Sequence, residues 1–342
     1  MGCKARGSID ETSASPVETV SRGKDRSLSL NTTPSVWSMR ILSIALLFVF
    51  LVPASSWAHG FAGKRFFPTT FQIDDPFISD EFSILFNHIK EPDARTTEVE
   101  IEYSKRIIPN LGISIGESYR HQDFEGDGSA SGFGNLELGV KYQFLTSVEH
   151  ETILSVGTNI EVGGTGARGV EADSFSTISP ALFFGKGFGD LPESVGFLRP
   201  FAITGVIGPN FPTRSKNVTV NEATGESEIE RNPVILNWGL TVQYSLMYLQ
   251  SFVKDIGLGA PFNRMIIVTE FPMQINLGRD NKGQTTGTVN PGVVWAGKYI
   301  ELGLAAQIPI NSRSGKSVGV LGLVHLFIDD LFPKSIGGPI FP

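Results

Sequence analysis

Apolar and polar residues alternate along most of the chain that follows residue 58. In the segment 98–103 every second residue is apolar, and the residues between them are glutamates. A β-strand places such a pattern on two opposite faces, whereas a helix would mix the two kinds of side chain. The longest run, 234–248, has eight apolar residues in alternation and would extend about 50 Å at about 3.3 Å per residue. The pattern therefore predicts strands longer than the roughly five or six residues of an ordinary soluble strand.

Alternation of this kind predicts twelve strands. They cover residues 81–89, 96–106, 111–121, 133–144, 152–163, 174–187, 199–209, 233–249, 263–277, 288–297, 299–309 and 318–328. Most of the connections that would lie at one end are short, and most at the other end are long. Bacterial outer-membrane barrels have this asymmetry and an even number of strands. The sequence therefore predicts an all-β fold, an antiparallel transmembrane β-barrel of about 12 strands across residues 81–330.

A secreted β-sandwich is the competing fold, because its strands alternate in the same way with the apolar face turned inward. Strand length and the mixture of Glu, Lys, Gln and Gly on the second face favour the barrel. In the longest run the barrel places Leu236, Trp238, Leu240 and Val242 against lipid, and Asn237, Thr241 and Gln243 in the lumen. Aromatic residues near strand ends resemble an interfacial girdle; they are Tyr142, Phe144, Phe183, Phe184, Tyr248, Phe252, Trp295, Tyr299 and Phe327.

An export signal precedes the predicted barrel. Residues 39–58 combine a charged start, about a dozen apolar residues and small residues before Ala58, as in a secretory signal peptide. A helix of that apolar length spans about 18 Å, against about 30 Å of hydrocarbon, which argues against a membrane anchor. Cleavage after Ala58 would make His59 the first residue. We interpret residues 1–38 as an extension that the translated protein lacks, and we expect export through the periplasm to a bacterial outer membrane.

The segments that flank the predicted barrel are less regular. Residues 59–80 are rich in aromatic residues and interrupted by proline. They could fold into the lumen as a plug or pack at the barrel mouth as a periplasmic tail. Residues 331–342 form a C-terminal tail.

Composition narrows the range of functions. The chain of 342 residues has a formal net charge of −7 and contains no cluster of Lys and Arg that would suit nucleic acid. Its single cysteine, Cys3, precedes the signal, so the exported part has none, which suits an oxidising compartment. The five histidines show no zinc-binding spacing, and no nucleophile motif is present. We therefore expect neither an enzyme nor a cofactor; the expected partners are outer-membrane lipid and an unidentified small solute, and the oligomeric state stays open.

Charged side chains on the polar faces would line the lumen and select solutes by their fixed charge. The candidates are Glu98, Glu100, Glu102, Glu137, Lys141, Glu161, Glu270, Glu301 and His325. The first three are about 7 Å apart along one strand, which is within a Debye length. They would make a pore prefer cations unless Lys141, Lys186 or Arg264 pairs with them. The alternative is a paired or solvated lining with no role in selectivity.

Several segments resemble a known family. Residues 132–142 (GFGNLELGVKY), 199–202 (RPFA), 290–295 (NPGVVW) and 307–310 (QIPI) are similar to the transporter-like outer-membrane β-barrel proteins of the meta-pathway phenol-degradation family, over roughly residues 80–330. The resemblance implies a channel or exporter that passes small hydrophobic or aromatic solutes. A non-conducting barrel with a structural or surface-interaction role is the alternative.

Overall fold

The computed structural model describes residues 60–90, 94–126, 128–220, 227–279 and 281–341. The extension 1–38, the signal peptide 39–58 and His59 lie outside the described residues. Within the described ranges, no helix has the length and apolar character needed to cross a membrane.

Twelve antiparallel strands form a closed ring. They are β3 (Glu81–Lys90), β4 (Ala94–Ile108), β5 (Leu111–Phe124), β7 (Leu136–Ser147), β8 (Thr152–Val162), β9 (Thr177–Gly187), β10 (Phe201–Pro212), β13 (Ile235–Ser245), β14 (Met265–Asn276), β15 (Thr285–Ala296), β16 (Ile300–Pro309) and β17 (Gly319–Phe327). Each strand pairs with the next one along the ring, and β17 pairs with β3 to close it. The predicted barrel of twelve strands is confirmed, with strand ends within a few residues of the prediction.

The chain also has short strands and helical turns besides the twelve strands of the ring. Their bounds are β1 (Phe61–Ala62), β2 (Arg65–Phe66), β6 (Gly128–Phe133), β11 (Lys216–Val220), β12 (Ser227–Arg231), and the helical turns Arg168–Val170, Glu193–Leu198, Leu246–Tyr248, Leu249–Val253, Phe262–Arg264 and Ile328–Leu331. We call the end of the barrel that holds residues 60 and 341 the inner end, and the opposite one the outer end. The hairpin of β11 and β12 belongs to the outer end.

Apolar side chains face outward and polar side chains face inward. On β13, Thr241 and Gln243 are buried in the interior, while Leu240 and Val242 point away from it. The exposed apolar residues on the outer surface of the strands include Ile101, Ile113, Ile115, Leu138, Val140, Val156, Leu182, Ile207, Ile267, Leu302, Leu304 and Val320. Soluble monomers rarely expose apolar surface on this scale, and a sandwich would bury this face. The structure therefore excludes the sandwich and agrees with a lipid-facing barrel.

The longest predicted strand was too long at its inner end. It stops at Ser245, whose hydroxyl accepts a hydrogen bond from the backbone N–H of Tyr248 at 3.0 Å. A serine at this position satisfies a free N–H of the first turn and so favours a helical start. The predicted aromatic girdle is wrong at three positions, because Phe183, Tyr248 and Phe327 are buried rather than placed at the outer surface.

Residues 60–80, which we call the plug segment, fold into the barrel. Phe66 and Phe71 pack in a core cluster with residues of β14–β17, and Phe67 and Phe77 pack in a second cluster with Ile153 and Ala202. Glycines on the inner wall make room for the segment: a methyl carbon at Gly303 would lie 2.9 Å from the ring of Phe71. Among the described residues, the segment therefore packs against side chains and glycines of the inner wall.

Candidate functional site

A cavity of about 740 Å³ occupies the lumen above the plug segment. Its floor is formed by residues 69–75, and its walls reach Asn210, Gln274 and Thr286 near the outer ends of their strands. Five of the predicted lumen residues line it, namely Glu98, Glu100, Glu102, Glu137 and Lys141. The polar faces of β4 and β7 thus meet in one open space.

The lining of this cavity is strongly acidic. Its acidic residues are Asp74, Asp75, Glu81, Glu98, Glu100, Glu102 and Glu137, and its basic residues are Lys141 and Arg313. Excess negative charge in a narrow space with low-dielectric walls attracts cations and repels anions. The arrangement can therefore concentrate small cations above the plug segment.

Two basic side chains lie close to the carboxylates of β4 and β7, which we call the acidic wall and which comprise Glu98, Glu100, Glu102 and Glu137. Arg120 forms an ion pair with Glu98, with 2.9 Å between Nη2 and Oε1. Lys141 donates a hydrogen bond to the carbonyl oxygen of Asp75 at 2.8 Å, and its Nζ lies 4.7 Å from the centre of the Phe183 ring. Burial raises the pKa of the Asp75 carboxyl to about 6, and attraction by Lys141 opposes this shift.

The other cations considered from the sequence lie elsewhere. Lys186 pairs with Asp190 at 2.8 Å, and Arg264 donates to the backbone oxygens of Ala296 and Gly297. Arg120 was not anticipated. The sequence could have indicated this ion pair. A tight turn after residue 106 sets the register of the β4–β5 hairpin, and in that register Glu98 lies opposite Arg120.

Two predicted lumen residues, Glu270 and Glu301, bind the plug segment and do not line the large cavity. Glu270 accepts hydrogen bonds from the backbone N–H of Phe71 at 2.6 Å and of Gln72 at 3.2 Å. Glu301 accepts one from the N–H of Thr69 at 3.0 Å. A segment without regular structure must satisfy its buried N–H groups, and hydrogen bonds to carboxylates are strong ones. These two carboxylates therefore hold the middle of the plug segment.

The remaining predicted residues also have defined places. His325 is fully buried; its Nδ1 lies 2.8 Å from the hydroxyl of Ser83, and its Nε2 lies 3.6 Å from Glu81. Glu161 accepts a hydrogen bond from Asn135 at 2.8 Å and lines a side cavity of about 260 Å³ below the connection 163–176. In the described part of the chain, no three Asp, Glu, His or Cys residues converge closely enough to hold a metal ion.

The start of the plug segment is held by a buried arginine that was not predicted from the sequence. Arg65 is 1% exposed and pairs with Glu151 at 3.1 Å. It also donates to the carbonyl oxygens of Pro200 and Arg199 and stacks 3.8 Å from the ring centre of Tyr248. Desolvation lowers the pKa of Arg65, and the charge of Glu151 opposes this shift. We call this group the Arg65 anchor.

Glu151 is fixed by more than this ion pair. Its second carboxylate oxygen accepts a hydrogen bond from the hydroxyl of Tyr248 at 3.0 Å, and Gly189 donates its N–H at 3.0 Å. Its φ of 46° is in the left-handed region, which is uncommon for a residue other than glycine. Such conformations persist where the surroundings determine them.

The other end of the plug segment has its own anchor. Asp80 is fully buried and forms ion pairs with Lys105 and Arg106, each at 2.6 Å. Its carbonyl oxygen also accepts the N–H of Ile328 at 2.9 Å. The plug segment is therefore attached to the wall at its start, in its middle and at its end.

Three cavities follow the wall made by β4, β5 and β7. Below the large cavity lies a chamber of about 30 Å³ that shares Glu102 and Lys141 with it. A third cavity, of about 420 Å³ at the inner end, shares Phe77 and Ile78 with that chamber. Phe77 and Ile78 therefore lie between the small chamber and the cavity at the inner end.

No protein-family model and no curated protein matches the chain, so the resemblance to the phenol-degradation family is not confirmed. Similar solved structures include the KdgM porin (12% identity, TM-score 0.41, covering 71% of this chain and 98% of that chain). Others are the NanC porin (7%, 0.45, 72% and 98%) and an outer membrane channel from Pseudomonas putida F1 (11%, 0.47, 76% and 99%). These likenesses concern the fold alone.

The class of protein follows from the molecule itself. A closed ring of antiparallel strands, an apolar outer surface and a polar interior define a transmembrane β-barrel of the outer-membrane type.

Proposed function

We propose that the protein is an outer-membrane channel for small solutes that prefers cations. The observation that carries this proposal is the series of three cavities, which follows one wall from the outer end of the barrel to the inner end. Solutes enter the acidic cavity and pass Phe77 and Ile78 beside the β4–β5–β7 wall. Export through the periplasm would place both described ends of the chain on the periplasmic side, because the number of strands is even.

The solute class that the resemblance implies is small, hydrophobic or aromatic. The charge of the cavity favours positively charged solutes over neutral apolar ones, because carboxylates dominate its lining. Apolar side chains such as Leu85, Phe183 and Leu323 also reach this cavity. A solute with an apolar part is therefore compatible with the site when it also carries positive charge.

A non-conducting barrel with a structural or surface-interaction role is the second candidate. The observation in its favour is the packed inner half of the lumen, where two core clusters include side chains of the plug segment. Under this candidate the 30 Å³ chamber would be a packing defect. Electrical measurement separates the two, since only a channel carries current.

The acidic wall should determine ion selectivity. We expect the protein, refolded in a planar bilayer, to conduct, and its reversal potential in a KCl gradient to indicate cation preference. Replacing Glu98, Glu100 and Glu102 with Gln should shift that potential towards anion permeability. The ion pair with Arg120 makes the contribution of Glu98 the smallest of the three.

A charge-matched control uses three exposed carboxylates outside the large cavity, in the triple variant Glu125→Gln, Glu149→Gln and Glu193→Gln. It should keep the original reversal potential. A conducting protein whose reversal potential does not respond to the first variant would contradict the assigned cation preference.

Ile78 should limit the current. Its side chain packs on the inner wall, where a methyl carbon at Gly112 would lie 2.8 Å from Cγ2 of Ile78. Replacing Ile78 with Ala should widen the narrowest part of the passage and raise single-channel conductance. The control is Ile84→Ala, the same change on a strand position that alternates with the cavity-lining Ser83 and Leu85.

Two results would count against the proposal. Equal conductance in Ile78→Ala, Ile84→Ala and the parent would place the path elsewhere. Absence of current in all of these folded proteins would favour the non-conducting barrel.

A further inference from the structure

The carboxylates of the large cavity form a ladder. Glu98, Glu100 and Glu102 are successive inward residues of β4 and lie about 7 Å apart. Glu137 of β7 is in register with Glu102, because Gly116 of the intervening strand β5 pairs with both residues. Gly116 has no side chain that would separate the two carboxylates. Negative charge is therefore repeated along the lumen at a regular interval.

This spacing does not suit a metal ion. Calcium and magnesium need oxygen ligands that converge to about 2.0–2.6 Å from one centre. Glu98 and Glu102 stand at opposite ends of the ladder, about 13 Å apart along the strand. A cation that engages several rungs at once must itself be extended.

A second observation also indicates a ligand with many hydrogen-bond donors. Gln307 and Thr288 line the same cavity and are only 7% and 9% exposed. Among the residues that the structure describes, Oε1 of Gln307 and Oγ1 of Thr288 have no hydrogen-bond partner. Asn87 and Asn237 also line the cavity and are partly buried, and their amide oxygens have no hydrogen-bond partner within the described part of the chain. Amide oxygens can only accept hydrogen bonds. Together with the carboxylates they favour a ligand that presents N–H groups.

Lys141 shows how an alkyl ammonium fits this lumen. Its Nζ donates to the carbonyl oxygen of Asp75, and its charge lies over the face of Phe183. Leu85 lies opposite Glu100 on the neighbouring strand and lines the same cavity. Apolar surface is therefore available beside the carboxylates for the methylene groups of a ligand.

We propose that the large cavity binds linear polyamines, with successive ammonium groups on successive carboxylates of the ladder formed by Glu98, Glu100, Glu102 and Glu137. In a butane-1,4-diamine unit, the distance between the two ammonium groups is close to the distance between successive carboxylates of the ladder. This inference rests on the proposed channel function and assigns the solute class of the same cavity.

The test adds spermidine, butane-1,4-diamine, ethane-1,2-diamine or Mg²⁺ to the outer side of the refolded protein in a planar bilayer. We expect spermidine to block the potassium current at a concentration about tenfold lower than Mg²⁺ does. Butane-1,4-diamine should block at a lower concentration than ethane-1,2-diamine, because only the longer diamine reaches two rungs. Equal blocking concentrations for spermidine and Mg²⁺, or no dependence on diamine length, would overturn the inference.

A pair of variants with equal change of charge locates the site. Glu100→Gln with Glu137→Gln should raise the blocking concentration of spermidine about tenfold. Glu125→Gln with Glu193→Gln, at exposed positions outside this cavity, should leave it unchanged. The same effect from both pairs would show a general charge effect and would contradict the ladder.

Calorimetric titration of the solubilised protein with spermidine separates this inference from the proposed function. Binding that Glu100→Gln with Glu137→Gln abolishes would support the ladder even in a protein that carries no current. A protein that conducts potassium but binds spermidine no better than Mg²⁺ would keep the channel and refute the polyamine site.

Discussion

Replacing Arg65 with Met is expected to lower the free energy of unfolding by about 3–5 kcal/mol, the usual cost of removing one partner from a buried ion pair. The loss is large because Glu151 keeps its buried charge, while the carbonyl oxygens of Pro200 and Arg199 each lose the hydrogen bond from Arg65. Release of this end of the plug segment should also raise single-channel conductance. Urea titration in lipid vesicles measures the first effect, and planar bilayers measure the second.

The matched control for this variant is Arg279→Met, at an exposed position in an outer connection. Changes at such surface positions stay within about 0.5 kcal/mol. The double variant Arg65→Met with Glu151→Gln should lose less stability than the sum of the single changes, because it no longer buries an unpaired charge. If Arg65→Met cost no more than Arg279→Met, the anchor would not hold the plug segment.

Replacing Leu240 with Arg is expected to cost about 2–4 kcal/mol, because a charge on the lipid-facing surface near the bilayer midplane loses its hydration. Leu240 is at the middle of β13 and faces away from the interior. The matched change is Asn237→Arg on the same strand, at a position that lines the acidic cavity. It should cost far less, since a guanidinium there enters a polar cavity whose lining has an excess of carboxylates.

Asn237 lines the large cavity, whereas Thr241 does not. The sequence alone suggests Thr241, the next residue after Leu240, as the lumen-facing control. Thr241 is fully buried and lies opposite Glu270, beneath the plug segment, so an arginine there would lack room. Equal destabilisation by Leu240→Arg and Asn237→Arg in lipid vesicles would contradict the assignment of the two faces.

The residues that attach the plug segment and the carboxylates of the large cavity should affect different properties of the current. Glu270 and Glu301 of the wall bind the backbone of the plug segment. Arg65 and Asp80 belong to the plug segment and bind the wall through their charged side chains. The ladder residues face the open cavity above it. Variants of the first group should therefore change how much current passes, whereas variants of the second should change which ions carry it.

The sequence by itself determined the strands and their faces. In Glu98–Tyr103 and in the run after Val234, the alternation alone indicates which side chains share a face, because successive residues of a strand point to opposite sides. The mixture of Glu, Lys, Gln and Gly on the polar face, together with the length of the strands, then favours a closed barrel in a membrane. This reasoning also placed Glu98, Glu100, Glu102, Glu137 and Lys141 on the inner wall.

Only the tertiary structure decided what stands opposite those side chains. Alternation assigns Glu270 and Glu100 to the same inner face, yet Glu270 binds the backbone of Phe71 while Glu100 lines the large cavity. Arg65 and Glu151 are 86 residues apart in sequence, and no local pattern encodes a contact between them. The period of a strand reports the direction of a side chain, whereas its partner depends on how a non-repetitive segment folds back into the ring.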